Sequence, residues 1–374
     1  MVNSNVNALG VIFANTYDNL VPELVAERSM ASIPFGGRYR LIDFTLSSMA
    51  NAGIDNVSVI VRRNYHSLMD HLGAGREWDL TRKRGGLNIV PPFAERSVKV
   101  YSGRVDALES ILSWLEAQKE RYVILSDAYT ALNFDFAKLI DAHVNSGADV
   151  TMVYNRAPIP EGARSDNYTI RIDDAGRVTE ILSNDYRLGE QNLSLNIYVI
   201  ERESLIHLVH DAAVRGLVYF ERDILARNLK LLNVQAYRFD GYVARISDMK
   251  SYFDENMRLL QPGSMDALFG GAPIYTKIRD DNPTRYLEGS SVKNSLLADG
   301  CVIEGTVENC VLFRGCTVKK GAVVKNSVLG QDTVVEPECD VEFVGTDKNV
   351  HITEGKRLNG TDTFPVFIAK NHSV

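Results

Sequence analysis

Early in this chain there is a natural place for phosphate chemistry, but the residues that usually perform it are missing. A short apolar run, Leu9 to Ala14, gives way to the turn-prone stretch Asn15-Thr16-Tyr17-Asp18-Asn19-Leu20. Where a first strand passes into a loop, glycines let backbone N–H groups approach phosphate oxygens closely. This stretch has no glycine after Gly10, and Asp18 would set a negative charge beside the phosphates. The four cysteines, Cys301, Cys310, Cys316 and Cys339, lie in the last quarter, with no C-x-x-C pair and no cluster of histidines nearby. That spacing argues against zinc and predicts small buried apolar side chains in a reducing compartment.

The elements that must position such residues follow from patterning. The chain has 374 residues, 45% of them hydrophobic and 24% charged, which fits a soluble globular protein of two to three domains. A net charge of −7 argues against nucleic acid as the main partner. The first ten residues carry no basic, apolar leader, and no run approaches the length of a membrane span, so a cytoplasmic protein is expected. Up to Arg258, apolar runs such as Val57 to Arg63, Tyr122 to Ser126, Asp149 to Asn155 and Leu195 to Glu201 alternate with helical spacings, which predicts an α/β domain with a mostly parallel sheet. One predicted helix starts at Leu41 and stops at Gly53; another continues from Asp106 with Leu108, Ile111, Leu112 and Leu115 on one face. A linker rich in proline and glycine is expected over 259–290. From 291 to 374 small aliphatic residues recur every five or six positions (Val292, Leu297, Val302, Val307, Leu312, Val318, Val323, Val328, Val334), an imperfect hexapeptide repeat in which short strands stack coil on coil.

Three longer segments carry a resemblance to a family. Ile33 to Val61 (IPFGGRYRLIDFTLSSMANAGIDNVSVIV), His71 to Leu80 (HLGAGREWDL) and Ile89 to Phe93 (IVPPF) closely resemble ADP-glucose pyrophosphorylase, the glucose-1-phosphate adenylyltransferase of bacterial glycogen synthesis. The resemblance implies a Rossmann-like nucleotidyltransferase domain over 1–258 and a C-terminal left-handed parallel β-helix over 291–374. It also implies a reaction between ATP and glucose 1-phosphate that needs Mg²⁺.

Against that family the reactive positions have been replaced. The phosphate loop A-G-G-x-G-x-R-L places its glycines on Asn15, Thr16 and Asp18 and its arginine on Leu20; the lysine of an A-K-P segment falls on Met30. One metal carboxylate falls on Ala128, beside Asp127, and the other on Arg245, three residues before Asp248. A guanidinium in a carboxylate's place repels the ion it should hold. The lysine of a sugar-contacting E-K-P falls on Asn184. A partial pocket is retained: Tyr101, Gly103 and Asp106 keep a Y-R-G-T-A-D-A pattern, and Ser194 is kept while Asn196 stands where glycine is expected.

This pattern resembles the GlgD-type regulatory branch of the family. The resemblance implies a subunit with little or no activity and no cofactor of its own, paired in a hetero-tetramer with a catalytic glucose-1-phosphate adenylyltransferase subunit, with a homo-oligomer of this chain alone as the alternative. Family activators bind basic residues between the two domains; Arg28 and Arg40 match such positions and Arg38 lies beside them, whereas Glu27 and Pro34 depart from the pattern. The alternative is an active adenylyltransferase with relocated ligands, Asp127 and Asp248. A repeat-domain acyltransferase would need a histidine base between coils, and Val292 to Val334 contain none.

Overall fold

The computed structural model describes residues 7–92, 101–163 and 167–374; Phe93, which closes the third resembling segment, lies outside them. Among the described residues the first domain is built on a nine-stranded sheet. Strands β1 (Ala8–Phe13), β2 (Asn56–Ile60), β3 (Gly86–Val90) and β4 (Tyr122–Asp127) run parallel in the order β4-β1-β2-β3. β1 is buried on both faces: Leu9, Val11 and Phe13 enter one apolar layer, Ala8 and Ile12 the other. A continuous apolar run is what such a two-faced position requires.

The second half of the sheet mixes directions. Strands β5 (Val150–Pro158), β6 (Tyr168–Ile172), β7 (Val178–Ser183), β8 (Glu190–Glu201) and β9 (Val234–Arg238) complete it; β7 and β8 run against the other strands, β8 lying antiparallel to β4, β5 and β6. The register of β8 against β5 breaks between Ser194 and Tyr198, where Asn196 takes a positive φ of 54°. Glycine and asparagine adopt that conformation most readily, so asparagine preserves the backbone that the family's glycine would give.

Helix α1 (Leu41–Asn51) ends two residues before Gly53, whose φ is +79°. The helix expected from Asp106 onward is instead two short ones, α2 (Arg104–Glu109) and α3 (Leu112–Ala117). Ser110 Oγ donates to the Ala107 carbonyl at 2.7 Å, an alternative to helical pairing, and the chain turns at Ile111. Leu108, Ile111 and Leu115 are still buried on one side.

Three five-stranded parallel sheets form the C-terminal left-handed β-helix. Its first strand, Arg285–Tyr286, falls inside the stretch read as linker, which also holds a short helix, Ser264–Phe269. The repeat frame differs from the expected one at four positions: Ile303, Val324, Leu329 and Val335 point into the coil, while their neighbours Val302, Val323 and Val334 are only partly buried and Val328 faces outward. Successive coils pair Val302 with Thr317, Thr317 with Val334 and Val334 with His351, spacings of 15, 17 and 17 residues, so a strict six-residue count drifts out of register. All four cysteines are buried in or beside the interior apolar column. A Cβ on Gly305 would lie 2.3 Å from the Ala322 carbonyl oxygen of the next coil. Gly305→Ala is therefore expected to cost about 1–3 kcal/mol in urea unfolding, through overpacking between coils.

The two domains share apolar surface. Helix α4 (Met249–Arg258) sets Phe253 against Val311, Phe313 and Val328, which face outward from the β-helix.

Candidate functional site

The loop after β1 borders a cavity of about 310 Å³ at the ends of the parallel strands. Open α/β sheets bind ligands beyond the carboxyl ends of their strands. Asn15, Thr16, Tyr17, Tyr101, Gly103 and Asn184 line it, as do Arg104 and Glu221, which the sequence reading had passed over.

The residues in the glycine positions hold the loop to the protein. Asn15 Nδ2 donates to Asp18 Oδ2 at 2.7 Å and to the Arg63 carbonyl at 3.0 Å, and its Oδ1 accepts from the Arg62 amide. Asp18 accepts from the Met30 amide at 2.8 Å and lies 3.3 Å from Arg63 Nε. Burial raises the Asp18 pKa, and these hydrogen bonds oppose the shift. Met30 is 1% exposed and packs with Tyr17, Leu24 and Ile33, while Leu20 lies against the same cluster. The loop's polar groups thus satisfy one another, and the side chain in the lysine position is apolar core.

Deeper in the cavity a guanidinium occupies the place where a cation would be needed. Asp127, at the end of β4, turns its carboxylate toward the loop and accepts from Thr16 Oγ1 at 2.9 Å and Arg104 Nη2 at 2.7 Å. Arg104 Nη1 meets Glu221, which also accepts from Tyr198 at 3.0 Å. Arg104 lies 5.0 Å from the Phe13 ring centroid, and the ion-pair side chains are at most 5% exposed. Burial, the largest single influence, works against the charge of Arg104, but Asp127 together with Tyr198, Tyr17 and Tyr168 outweighs it and lifts the guanidinium above its ordinary value. In the Y-R-G-T-A-D-A pattern Arg104 stands at the threonine, so the departure was readable in the sequence. Glu221 carried no such signal.

The remaining candidates are dispersed. Ala128 is buried in the layer beneath the sheet. Arg245 donates to the Tyr129 hydroxyl at 2.7 Å, the Ser194 carbonyl at 3.1 Å and Asn155 Oδ1 at 3.2 Å. Ser194 and Asn196 lie below the cavity, where Asn196 Nδ2 donates to the Tyr17 hydroxyl at 2.6 Å. Asp248 caps α4, accepting from the Ser251 amide at 2.6 Å. Asp106 caps its own turn at the Ser102 amide. Gly103 allows close approach, since a Cβ there would meet the Val218 carbonyl at 2.5 Å. These residues do not fit a Mg²⁺ site: Asp127 is held by a guanidinium, Asp248 is used as a helix cap, and no group of three His, Cys, Asp or Glu side chains among the described residues is arranged for a metal.

The three arginines expected at an effector site separate. Arg28 is buried in the domain interface, where Nη2 donates to both carboxylate oxygens of Asp347 at 2.9 Å. Arg38 and Arg40 line a second cavity, of about 350 Å³, between the domains. Lys277, Arg279, Arg314 and Lys348 join them there, contributed by the linker and the β-helix. Arg40 donates to the Ser67 carbonyl at 2.7 Å, and burial lowers it to about 10. No motif pointed to the last four cations, which converge only when the domains dock.

Comparison with known proteins agrees with this architecture. The family model "Nucleotidyl transferase" matches residues 20–237, and "GlmU-like, C-terminal hexapeptide" matches 278–363. A "Glycogen biosynthesis protein GlgD" from Bacillus subtilis is 34% identical over 368 residues, covering 98% of this chain and 96% of its own. A protein of the same name from Geobacillus stearothermophilus is 36% identical over 322 residues, 86% of this chain and 83% of its own. A "Glucose-1-phosphate adenylyltransferase" from Bacillus mycoides is 31% identical over 371 residues, 93% and 98% of the two chains. No helix among the described residues is long and apolar enough to cross a membrane. With both domains matched and relatives of either name aligned along most of its length, the chain belongs to the ADP-glucose pyrophosphorylase family of nucleotidyl transferases.

Proposed function

We propose that this chain is a catalytically inactive, regulatory subunit of glucose-1-phosphate adenylyltransferase, acting in cytoplasmic glycogen biosynthesis by assembling with a catalytic homologue into a hetero-tetramer. The observation that carries the reading is the buried Arg104–Asp127–Glu221 cluster. A fixed guanidinium neutralises Asp127, whose carboxylate accepts from Thr16 of the phosphate loop, so the cluster excludes the divalent cation that adenylyl transfer requires. The side-chain network of Asn15 and Asp18 fills the place of the glycine loop, and relatives named GlgD supply the pathway. Regulation then works through subunit contacts that favour one conformation of the partner. The basic interdomain cavity around Arg38 and Arg40 is a site for an anionic effector of that regulation. The reading with relocated ligands is disfavoured by the same geometry, because Asp127 and Asp248 are already committed to Arg104 and to the helix cap.

Pyrophosphate release from ATP and glucose 1-phosphate with Mg²⁺ tests the proposal, measured for this chain, for a catalytic homologue and for the mixture. The chain alone is expected to stay at background, and the mixture to differ from the homologue alone in rate or in effector response. Turnover by this chain alone overturns the inactive reading; a mixture identical to the homologue overturns the regulatory one.

A further inference from the structure

Two of the four cysteines stack on each other inside the β-helix. Val302–Ile303 pairs in parallel register with Thr317–Val318, and the Val302 amide donates to the Cys316 carbonyl at 2.9 Å. Cys301 and Cys316, one residue earlier on each strand, therefore hold the same place in successive coils, and both side chains are fully buried in the interior apolar column. Neighbouring strands lie about 4.8 Å apart, inside the Cα separation of about 4.4–6.8 Å that a disulfide spans. The other two cysteines have no such neighbour: the same ladders set Cys310 between Ser295 and Ser327, and Cys339 between Ala322 and Lys356.

The surroundings make the two thiols unequal. Cys301 Sγ donates toward the Phe313 carbonyl at 3.3 Å, and Cys316 Sγ lies 3.1 Å from the Gly330 carbonyl. A hydrogen bond from the Cys316 side chain lowers the Cys301 thiol below its ordinary value, while burial raises Cys316. Cys301 is thus the better source of thiolate, the form that reacts with oxidants. It also sits one coil from the end of the column, where Thr284 stacks on it. That first coil, built on Arg285–Tyr286, Ser291–Lys293 and Leu296–Leu297, is paired on one side only among the described residues, and its Val292 and Leu297 are only partly buried. A terminal coil with neighbours on one side opens more readily than those below it, and its opening uncovers Cys301.

We propose that Cys301 and Cys316 form an oxidation site, at which hydrogen peroxide, small and uncharged, converts the stacked thiols into a disulfide that staples the second coil to the third. The Cys301 thiolate attacks one peroxide oxygen, the O–O bond breaks, hydroxide leaves and a sulfenic acid remains. The Cys316 thiolate then attacks that sulfur; the S–S bond forms, the S–O bond breaks and a second hydroxide leaves. The two thiol protons convert these hydroxides to water, so two thiols are oxidised and one peroxide is reduced to two waters. The loop closed by the new bond contains the turn Phe313-Arg314-Gly315, and Phe313 packs against Phe253 of the first domain. Oxidation therefore stiffens the part of the β-helix that meets the first domain.

Thiol counting on the full chain tests this. The reduced protein is incubated with hydrogen peroxide, the peroxide is removed with catalase, and thiols are titrated in denaturant. The count is expected to fall from four to two, with dithiothreitol restoring four and peptide mapping joining Cys301 to Cys316. Under the same treatment Cys316→Ala should form no disulfide within the chain, whereas Cys310→Ala should still lose two thiols to the Cys301–Cys316 bond. The oxidised chain should unfold at a higher temperature than the reduced one, and reduction should reverse the difference. A count that stays at four overturns the site, as does a cross-link through Cys310, Cys339 or a second chain. A dithiothreitol-reversible loss that persists in Cys316→Ala overturns it too. An unfolding temperature unchanged by oxidation overturns the staple.

Discussion

Arg104→Ala is expected to lower the stability of the first domain by about 3–5 kcal/mol at pH 7. The guanidinium is the counter-ion of two buried carboxylates, Asp127 and Glu221, and its removal leaves both in a cavity wall with Tyr198 and Thr16 as neutral partners. Breaking a buried pair from one side costs far more than the pair's net contribution, because the remaining charge stays desolvated. The pH dependence follows. Burial already raises the Asp127 carboxyl above its ordinary value, and Arg104 is the strongest opposing influence. Without Arg104 the folded-state value rises further above the unfolded one. A carboxyl raised in this way stabilises the fold at low pH, and that contribution is lost as pH climbs through the folded value. The deficit of Arg104→Ala should therefore be largest at neutral pH and shrink toward pH 4–5, read by urea unfolding across a pH series. Arg104→Ala combined with Glu221→Gln should recover part of the loss. A deficit under about 1 kcal/mol, or one unchanged by pH, would remove the cluster from its place in the proposed function.

Arg28→Ala should cost a comparable ~3–5 kcal/mol, but at the domain interface. Its guanidinium binds both oxygens of Asp347, and the two side chains are 5% and 6% exposed. Around them Phe253 joins the outward residues of the β-helix, so loss of the pair loosens the contact that holds the domains in one arrangement. Thermal unfolding is expected to separate into two transitions where the unmodified chain gives one. The double substitution Arg28→Met with Asp347→Asn should be much less harmful than the sum of the single ones, since neither partner is then left as an uncompensated charge. Additive losses would mean that the pair does not couple the domains. Arg28, which the family resemblance places at a possible effector contact, pairs with Asp347, while Arg38, Arg40 and the cations beside them line the interdomain cavity.

Much of this molecule was readable before any coordinates. Two-faced burial requires continuous apolar runs such as Leu9 to Ala14, and stacked coils require small aliphatic residues at short intervals, so the sheet and the β-helix follow from local pattern. The losses at Asn15, Thr16, Asp18, Met30 and Asn184 were equally legible, because replacing a glycine or lysine removes a chemical capacity wherever the residue sits. Local pattern misled where a neighbour intervened: Ser110 divides the second expected helix, and coils of unequal length shift the repeat frame at Val302, Val323, Val328 and Val334.

What the sequence by itself determined was that the family's glycine loop is absent at Asn15, Thr16 and Asp18, since residue type is fixed without a fold. Only the tertiary structure decided what took its place. Arg104 and Glu221 lie 117 residues apart and meet directly, with Asp127 on the guanidinium's other nitrogen; Arg28 and Asp347 meet across 319. Lys277, Arg279, Arg314 and Lys348 come from linker and β-helix to face Arg38 and Arg40. Charge pairing and desolvation depend on distance and burial, and neither is fixed until the domains have folded and docked.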